Sequence, residues 1–234
     1  MIFTPLRRVV LFVAVSAALL VSFRATSAAP AAPDAILNEL SWRLVGPHRA
    51  GWSTVTAGVP GEPDTFYFGA AGGGVWKTTD AGRTWAPVFD QGPASIGALT
   101  IAASDPKTIY VGTGQVTSRY DIAAGAGVFK SKDGGASWAP IGLAETRHIG
   151  AILVDPRNAD VVLVAGFGHV FGANPERGVF RSEDGGATWQ RTLFVSENTG
   201  AVDLASDPAV PGLVFASVWQ VRYKPWLSYY ASGE

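Results

Sequence analysis

Apolar positions along this chain come in short runs of three to six, separated by glycine, proline and aspartate, and the same three kinds of run return in the same order. The first kind opens on small residues: Gly97-Ala-Leu, Gly150-Ala-Ile and Gly200-Ala-Val. A Pro/Asp turn follows each, as in Ser104-Asp-Pro106, Asp155-Pro-Arg-Asn158 and Ser206-Asp-Pro208. The second kind is hydrophobic throughout: Phe66-Tyr-Phe68, Ile109-Tyr-Val111, Val161-Val-Leu-Val164 and Leu213-Val-Phe215. Such a run predicts a strand buried on both faces. The third kind alternates, with Val128 and Lys130 on one side and Phe129 and Ser131 on the other, which predicts a strand with two different faces.

That third run begins a twelve-residue template stated three times. Gly74 to Trp85 reads GVWKTTDAGRTW, Gly127 to Trp138 reads GVFKSKDGGASW, and Gly178 to Trp189 reads GVFRSEDGGATW. The aspartates Asp80, Asp133 and Asp184 recur at intervals of 53 and 51 residues, a period characteristic of propellers, solenoids and arrays. Asp-x-Gly is turn chemistry: the carboxylate accepts from backbone N–H groups a residue or two ahead, and Gly82, Gly135 and Gly186 supply the positive φ of a tight turn. Trp85, Trp138 and Trp189 then open a fourth strand and are expected to point into a core. Burying such a ring removes about 150 to 250 Å² from water, roughly 4 to 6 kcal/mol.

Four antiparallel strands per unit of about 50 residues make one propeller blade. The fold class expected is therefore all-β, a β-propeller of four-stranded antiparallel blades, three complete and a fourth partial, with the ring not closed in this chain. Blade 1 spans about 52–90, blade 2 about 94–143, blade 3 about 147–195, and partial blade 4 about 199–234. Residues 41–46 read as an orphan outer strand, because Ser41-Trp42 repeats the last two letters of the template. The next template aspartate falls due near position 236, so the remaining blades are expected in a longer chain.

Composition and the amino terminus narrow the setting. Arg7 and Arg8 precede an apolar run from Val9 to Phe23, and Thr26-Ser-Ala28 offers small residues to a signal peptidase, so residues 1–28 read as a secretory signal and 29–40 as a Pro/Ala linker. The expected location is secreted or periplasmic, in a bacterium. The run is shorter than the roughly 20 residues of a membrane-spanning helix, so no membrane association is expected after cleavage. The chain has no cysteine, which excludes disulfides and thiolate metal sites. Losing Arg7, Arg8 and Arg24 from the 18 basic residues leaves 15 against 19 acidic ones. That balance argues against a nucleic-acid partner.

Candidate chemistry sits in the loops that do not repeat, on the face opposite the Pro/Asp and template turns. Binding candidates there are Arg49, Arg119, Tyr120, Arg147, His148, His169, Trp219 and Arg222, with Arg177, Phe171, Tyr223, Trp226 and Glu197 in the same loops. Asp121 and Glu176 are the candidates for a catalytic carboxylate. A glycosidase needs two, about 5 to 9.5 Å apart. The three histidines lack metal-ligand spacing, Asp133-Gly-Gly lacks the alternating oxygens of a calcium loop, and the glycine runs match no nucleotide fingerprint. No metal and no cofactor are expected.

The template is similar to the Asp box, or bacterial neuraminidase repeat, found in sialidases, in tandem-propeller glycosidases that cut xyloglucan, and in sortilin-type receptors. The contexts Gly69–Trp76, Tyr110–Gly114, Thr146–Gly150 and Val218–Arg222 most resemble large secreted bacterial proteins grouped with the sortilin propeller. The resemblance implies that the template residues Asp80, Gly82, Trp85, Asp133, Gly135, Trp138, Asp184, Gly186 and Trp189 are structural and lie away from any active face. It also exposes two departures. The xyloglucan enzymes place a Thr-Asp pair, the aspartate catalytic, where this chain has Ala70 and Ala71, and sialidases show Arg-Ile-Pro where it has Arg43-Leu-Val-Gly-Pro. The function expected is a binding or scaffold module recognising a polypeptide or glycan through its loop face; the alternative is a sialidase- or xyloglucanase-like glycoside hydrolase completed by further blades. A pair of facing carboxylates at the loop-side mouth discriminates the two.

Overall fold

The computed structural model describes residues 51–117, 122–222 and 231–232. The signal, linker and orphan-strand assignments lie outside the described residues, as do Arg49, Arg119, Tyr120, Asp121, Tyr223, Trp226 and the side chain of Arg222.

The repeating runs fold into successive antiparallel sheets. The first contains β1 (Ser53–Val59), β2 (Glu62–Ala70), β3 (Val75–Thr78) and β4 (Ala86–Pro87) in sequence order. The second contains β5 (Ile96–Ile101), β6 (Ile109–Thr113), β7 (Val128–Ser131) and β8 (Ala139–Pro140), and the third β9 (Ile149–Asp155), β10 (Asn158–Gly166), β11 (Gly178–Ser182) and β12 (Gln190–Leu193). A fourth sheet has β13 (Thr199–Ser206), β14 (Val214–Arg222) and β15 (Ala231–Ser232). Each sheet is one blade, and the first strands β1, β5, β9 and β13 neighbour one another in turn. Hydroxyls tie them together: Thr54 Oγ1 donates to Ile96 O at 2.8 Å, and Thr100 Oγ1 to Ile152 O at 2.6 Å.

That neighbourhood explains the small residues opening each first strand. Their role is close approach between blades. A Cβ on Gly97 would lie 2.1 Å from Ile149 O, and one on Gly150 would lie 2.3 Å from Val202 O. The core accordingly lies between sheets. Tyr67, Val75 and Phe89 of the first blade share a buried cluster with Ile96, Leu99 and Ile109 of the second, and Tyr110 and Val128 share one with Ile149 and Val162 of the third. The expectation of a second strand buried on both faces holds for β6, every residue of which is buried. It fails for β2 and β14, where Phe66 is 39% and Phe215 59% exposed. Burial of the second face is conferred by a flanking sheet, and the first and fourth sheets each have only one among the described residues.

The template turn is a closed hydrogen-bond circuit. Asp80 accepts from the Thr78 hydroxyl at 2.7 Å, the Thr84 amide at 2.9 Å and the Thr84 hydroxyl at 2.7 Å, while Gly82 N donates to Thr78 Oγ1 at 2.9 Å. Ser131, Asp133, Gly135 and Ser137 repeat it, as do Ser182, Asp184, Gly186 and Thr188. The amide captured by the carboxylate is thus four residues ahead, because the hydroxyl two residues before takes the glycine amide. Donation by the hydroxyl and amide four residues ahead, then by the earlier hydroxyl, holds all three carboxyls at about 2.

The template tryptophans are seams between blades rather than buried core pieces. Trp138 Nε1 donates to Val88 O and Trp189 Nε1 to Ile141 O, each at 2.7 Å and each in the preceding blade. Trp138 also meets Phe89 edge to face at 5.2 Å between centroids. Trp85 has no preceding sheet among the described residues and stays 38% exposed. Ala81 N, Gly134 N and Gly185 N donate to Asp64 O, Lys107 O and Asp160 O, which puts the template turns beside the first hairpin turns. The other face is left to the connections between β6 and β7, β8 and β9, and β10 and β11.

Candidate functional site

Those three connections enclose a cleft of about 480 Å³ between the second and third blades, lined by Ile122, Ala124, Glu145, Arg147, His148, His169, Val170 and Phe171. Its volume falls within the roughly 300 to 1,000 Å³ of small-ligand sites.

The floor comes from the β8–β9 connection. Leu143 and Arg147 flank a single 3-10 turn, Ala144–Thr146, and both adopt positive φ, +56° and +58°. A left-handed conformation is costly for side chains of this size, on the order of 1 to 3 kcal/mol, and such strain gathers at functional sites. The conformation is held from outside: Gly125 N donates to Arg147 O at 2.7 Å and Ile149 N donates to Gly114 O at 3.1 Å. Arg147 and Glu145 form an ion pair at 3.7 Å, and with both side chains half exposed or more it adds at most about 1 kcal/mol.

His148 follows directly and is 2% exposed. Its Nδ1 lies 2.9 Å from Gln115 O, and its own carbonyl receives Phe167 N at 2.9 Å, so one residue joins the β6–β7 loop to the end of β10. Burial lowers its pKa to about 4 against the favourable carbonyl contact, and the charges of His169, Arg177 and Arg147 push the same way. At neutral pH this imidazole is uncharged.

The rim comes from the β10–β11 loop. Arg177, expected in the binding face, is instead fully buried beneath it. Its guanidinium donates to Asn198 O, His169 O, Gly172 O and Val221 O at 3.1 to 3.3 Å and lies 5.6 Å from the Phe167 ring centroid. Asn174 Nδ2 donates to His169 O at 2.8 Å and Gly172 O at 3.2 Å. Two buried side chains thereby gather the carbonyls of a loop that would otherwise have no ladder, which presents His169 and the half-exposed ring of Phe171 to the cleft. Trp219 stacks on Phe167 at 5.9 Å and is not among the lining residues.

Of the binding candidates, the structure therefore brings together Arg147, His148 and His169. Glu176 lies in the rim loop but does not line the cleft, whose one carboxylate among the described residues is Glu145. Sequence reasoning passed over Glu145, because Ala144-Glu-Thr146 carries no mark of the left-handed residues that turn it toward the cleft. Ala70 and Ala71 are both buried at the end of β2, Ala71 N donating to Trp52 O at 3.0 Å. Among the described residues no group of three or more histidine, cysteine or acidic side chains is placed to hold a metal ion, and no helix is long and apolar enough to cross a membrane.

Known proteins share this architecture. No protein-family description matches the chain. A xyloglucanase from a Paenibacillus species is 29% identical over 181 residues, a match covering 67% of this chain and 17% of that enzyme. A xyloglucanase of Hypocrea jecorina (strain QM6a) is 30% identical over 122 residues, covering 49% of this chain and 13% of the enzyme. The crystal structure of an ancestral GH74 enzyme superposes with a TM-score of 0.57 at 24% identity, over 76% of this chain and 23% of that one. The fold is a β-propeller. The chain spans less than a quarter of the length of each of these relatives.

Proposed function

We propose that the cleft between the second and third blades binds a glycan chain, and that this stretch serves a carbohydrate-recognising propeller as a binding surface rather than as the bearer of a hydrolytic pair. The observation that carries the reading is the cleft's composition. An aromatic ring, Phe171, stands beside an uncharged buried imidazole and an Arg147–Glu145 pair, which suits a polar ligand with flat apolar faces. Xyloglucan, the branched glucan in the names of the relatives, is the first ligand to try.

Hydrolysis is the second reading, favoured by those same names. It requires two carboxyl groups about 5 to 9.5 Å apart. The position that the resemblance assigns to a catalytic aspartate is the buried Ala71, whose methyl can neither donate nor accept a proton. The repeated turns support an Asp-box protein, and the basic, apolar and small-residue order of the amino terminus supports export. Affinity electrophoresis of the full chain through gels containing xyloglucan, alongside an assay for released reducing ends, separates the readings. Retardation without release is expected. Release that Glu145→Gln abolishes would establish the hydrolase, and retention on an immobilised polypeptide with none on glycan would remove the glycan reading.

A further inference from the structure

Resting on the glycan reading, we infer that His148 is a specificity-determining acceptor in the cleft: its ring is locked as the Nδ1–H tautomer by the Gln115 carbonyl, and its bare Nε2 takes a hydrogen bond from a sugar hydroxyl.

The lock follows from what a carbonyl can do. Gln115 O only accepts, so an uncharged ring with Nδ1 at 2.9 Å must carry its proton on that nitrogen. The carbonyl is itself fixed, since Gln115 N donates to Ser95 Oγ at 3.3 Å and the adjacent Gly114 N donates to Ser95 O at 2.8 Å. The ring cannot be pulled aside from its other end either, because His148 N donates to Thr146 O at 2.6 Å and Phe167 N to His148 O at 2.9 Å. Nε2 is then the one polar atom His148 has left to offer the cleft that it lines, and no hydrogen-bond donor among the described residues reaches it. Nε2 is open to the cleft rather than sealed beneath it, so a ligand that covers it must supply a donor or leave the acceptor buried and unsatisfied at a cost.

The charges around the ring decide which donor fits. Arg147 and Arg177 bring positive charge to His148, and Glu145 pairs with Arg147 alone. An ammonium would meet that field unfavourably. A carboxylate or sulfate would place acceptors against the acceptor Nε2. A hydroxyl satisfies both conditions, and it is the donor that a sugar ring carries.

The test is two-bond ¹H–¹⁵N correlation of the histidine rings in the full chain at pH 7, with and without xyloglucan oligosaccharides. The expected free spectrum shows His148 Nδ1 in the range of a protonated nitrogen and Nε2 in that of a bare one, and ligand moves Nε2 upfield while Nδ1 stays. The reverse tautomer, or binding with Nε2 unmoved, overturns the inference and leaves the glycan reading intact; no binding of any glycan removes both. In parallel, His148→Gln keeps a donor and an acceptor and should hold affinity within about threefold, whereas His148→Phe should lose about tenfold. Equal affinities for the two variants, each folded by circular dichroism, would also overturn it.

Discussion

Acidification should weaken the joint between the second and third blades through His148 before it touches anything else. The imidazole titrates near 6.5 in the unfolded chain and at about 4 in the fold. A histidine whose pKa is lowered by folding refuses a proton that the unfolded chain accepts, so stability is full above pH 6.5, falls as pH drops from 6.5 to 4, and changes no further from this group below that. At 1.36 kcal/mol per unit the gap corresponds to about 3 kcal/mol, or a fall of roughly 6 to 12 °C in melting temperature for a domain of this size. The template aspartates cannot mimic it, because their pKa values are depressed from 3.8 to about 2 and their contribution is lost only across that lower window. Urea unfolding of the full chain at half-unit steps from pH 7 to 4 measures the slope. His148→Gln, whose amide still donates toward Gln115 O but does not titrate, should flatten the curve between pH 6.5 and 4. A wild type that is flat across that window, or a variant with the same slope, would show that His148 does not carry the pH dependence.

Three further outcomes test other parts of the account. Gly150→Ala drives a methyl to 2.3 Å of the Val202 carbonyl in the next blade, so it should destabilise by about 2 to 3 kcal/mol in chemical denaturation, while an alanine at Gly61, which has nothing within 4 Å, costs only its positive φ. Ala81 holds φ at +59° where the other two templates have glycine, and Ala81→Gly should raise the melting temperature or leave it unchanged, with a gain of up to about 1 kcal/mol. Phe171→Ala should weaken glycan binding by roughly 5 to 30-fold in calorimetry without changing the melting temperature, since its ring is half exposed at the rim.

The propeller was legible because its strongest signals are local and repeated: a hydroxyl, an aspartate, a glycine and a tryptophan at fixed spacing specify the same turn three times. What those residues touch was less legible. Trp138 and Trp189 looked like core pieces of their own repeats, yet their indoles reach back to the preceding blade, a partner about fifty residues away that no local pattern names. Gly97 and Gly150 stood out only as small residues opening a run, and the structure shows that the next first strand lies against them. The face carrying the candidate site followed from which loops fail to repeat, and Arg147, His148 and His169 do meet there. Arg177 was misplaced because an arginine in a loop reads as solvated, and only the structure shows the carbonyls that hold it inside. Glu145 escaped notice for the converse reason, since nothing in Leu143–Arg147 announces two left-handed residues.

The most direct test of the central claim is to map where a glycan touches the protein. When xyloglucan oligosaccharides are titrated into isotopically labelled full chain, perturbed resonances should centre on Glu145, Arg147, His148, His169 and Phe171, with the template turns around Asp80, Asp133 and Asp184 silent. Perturbations centred on the template-turn face, or no saturable perturbation with any neutral glycan, would contradict that claim.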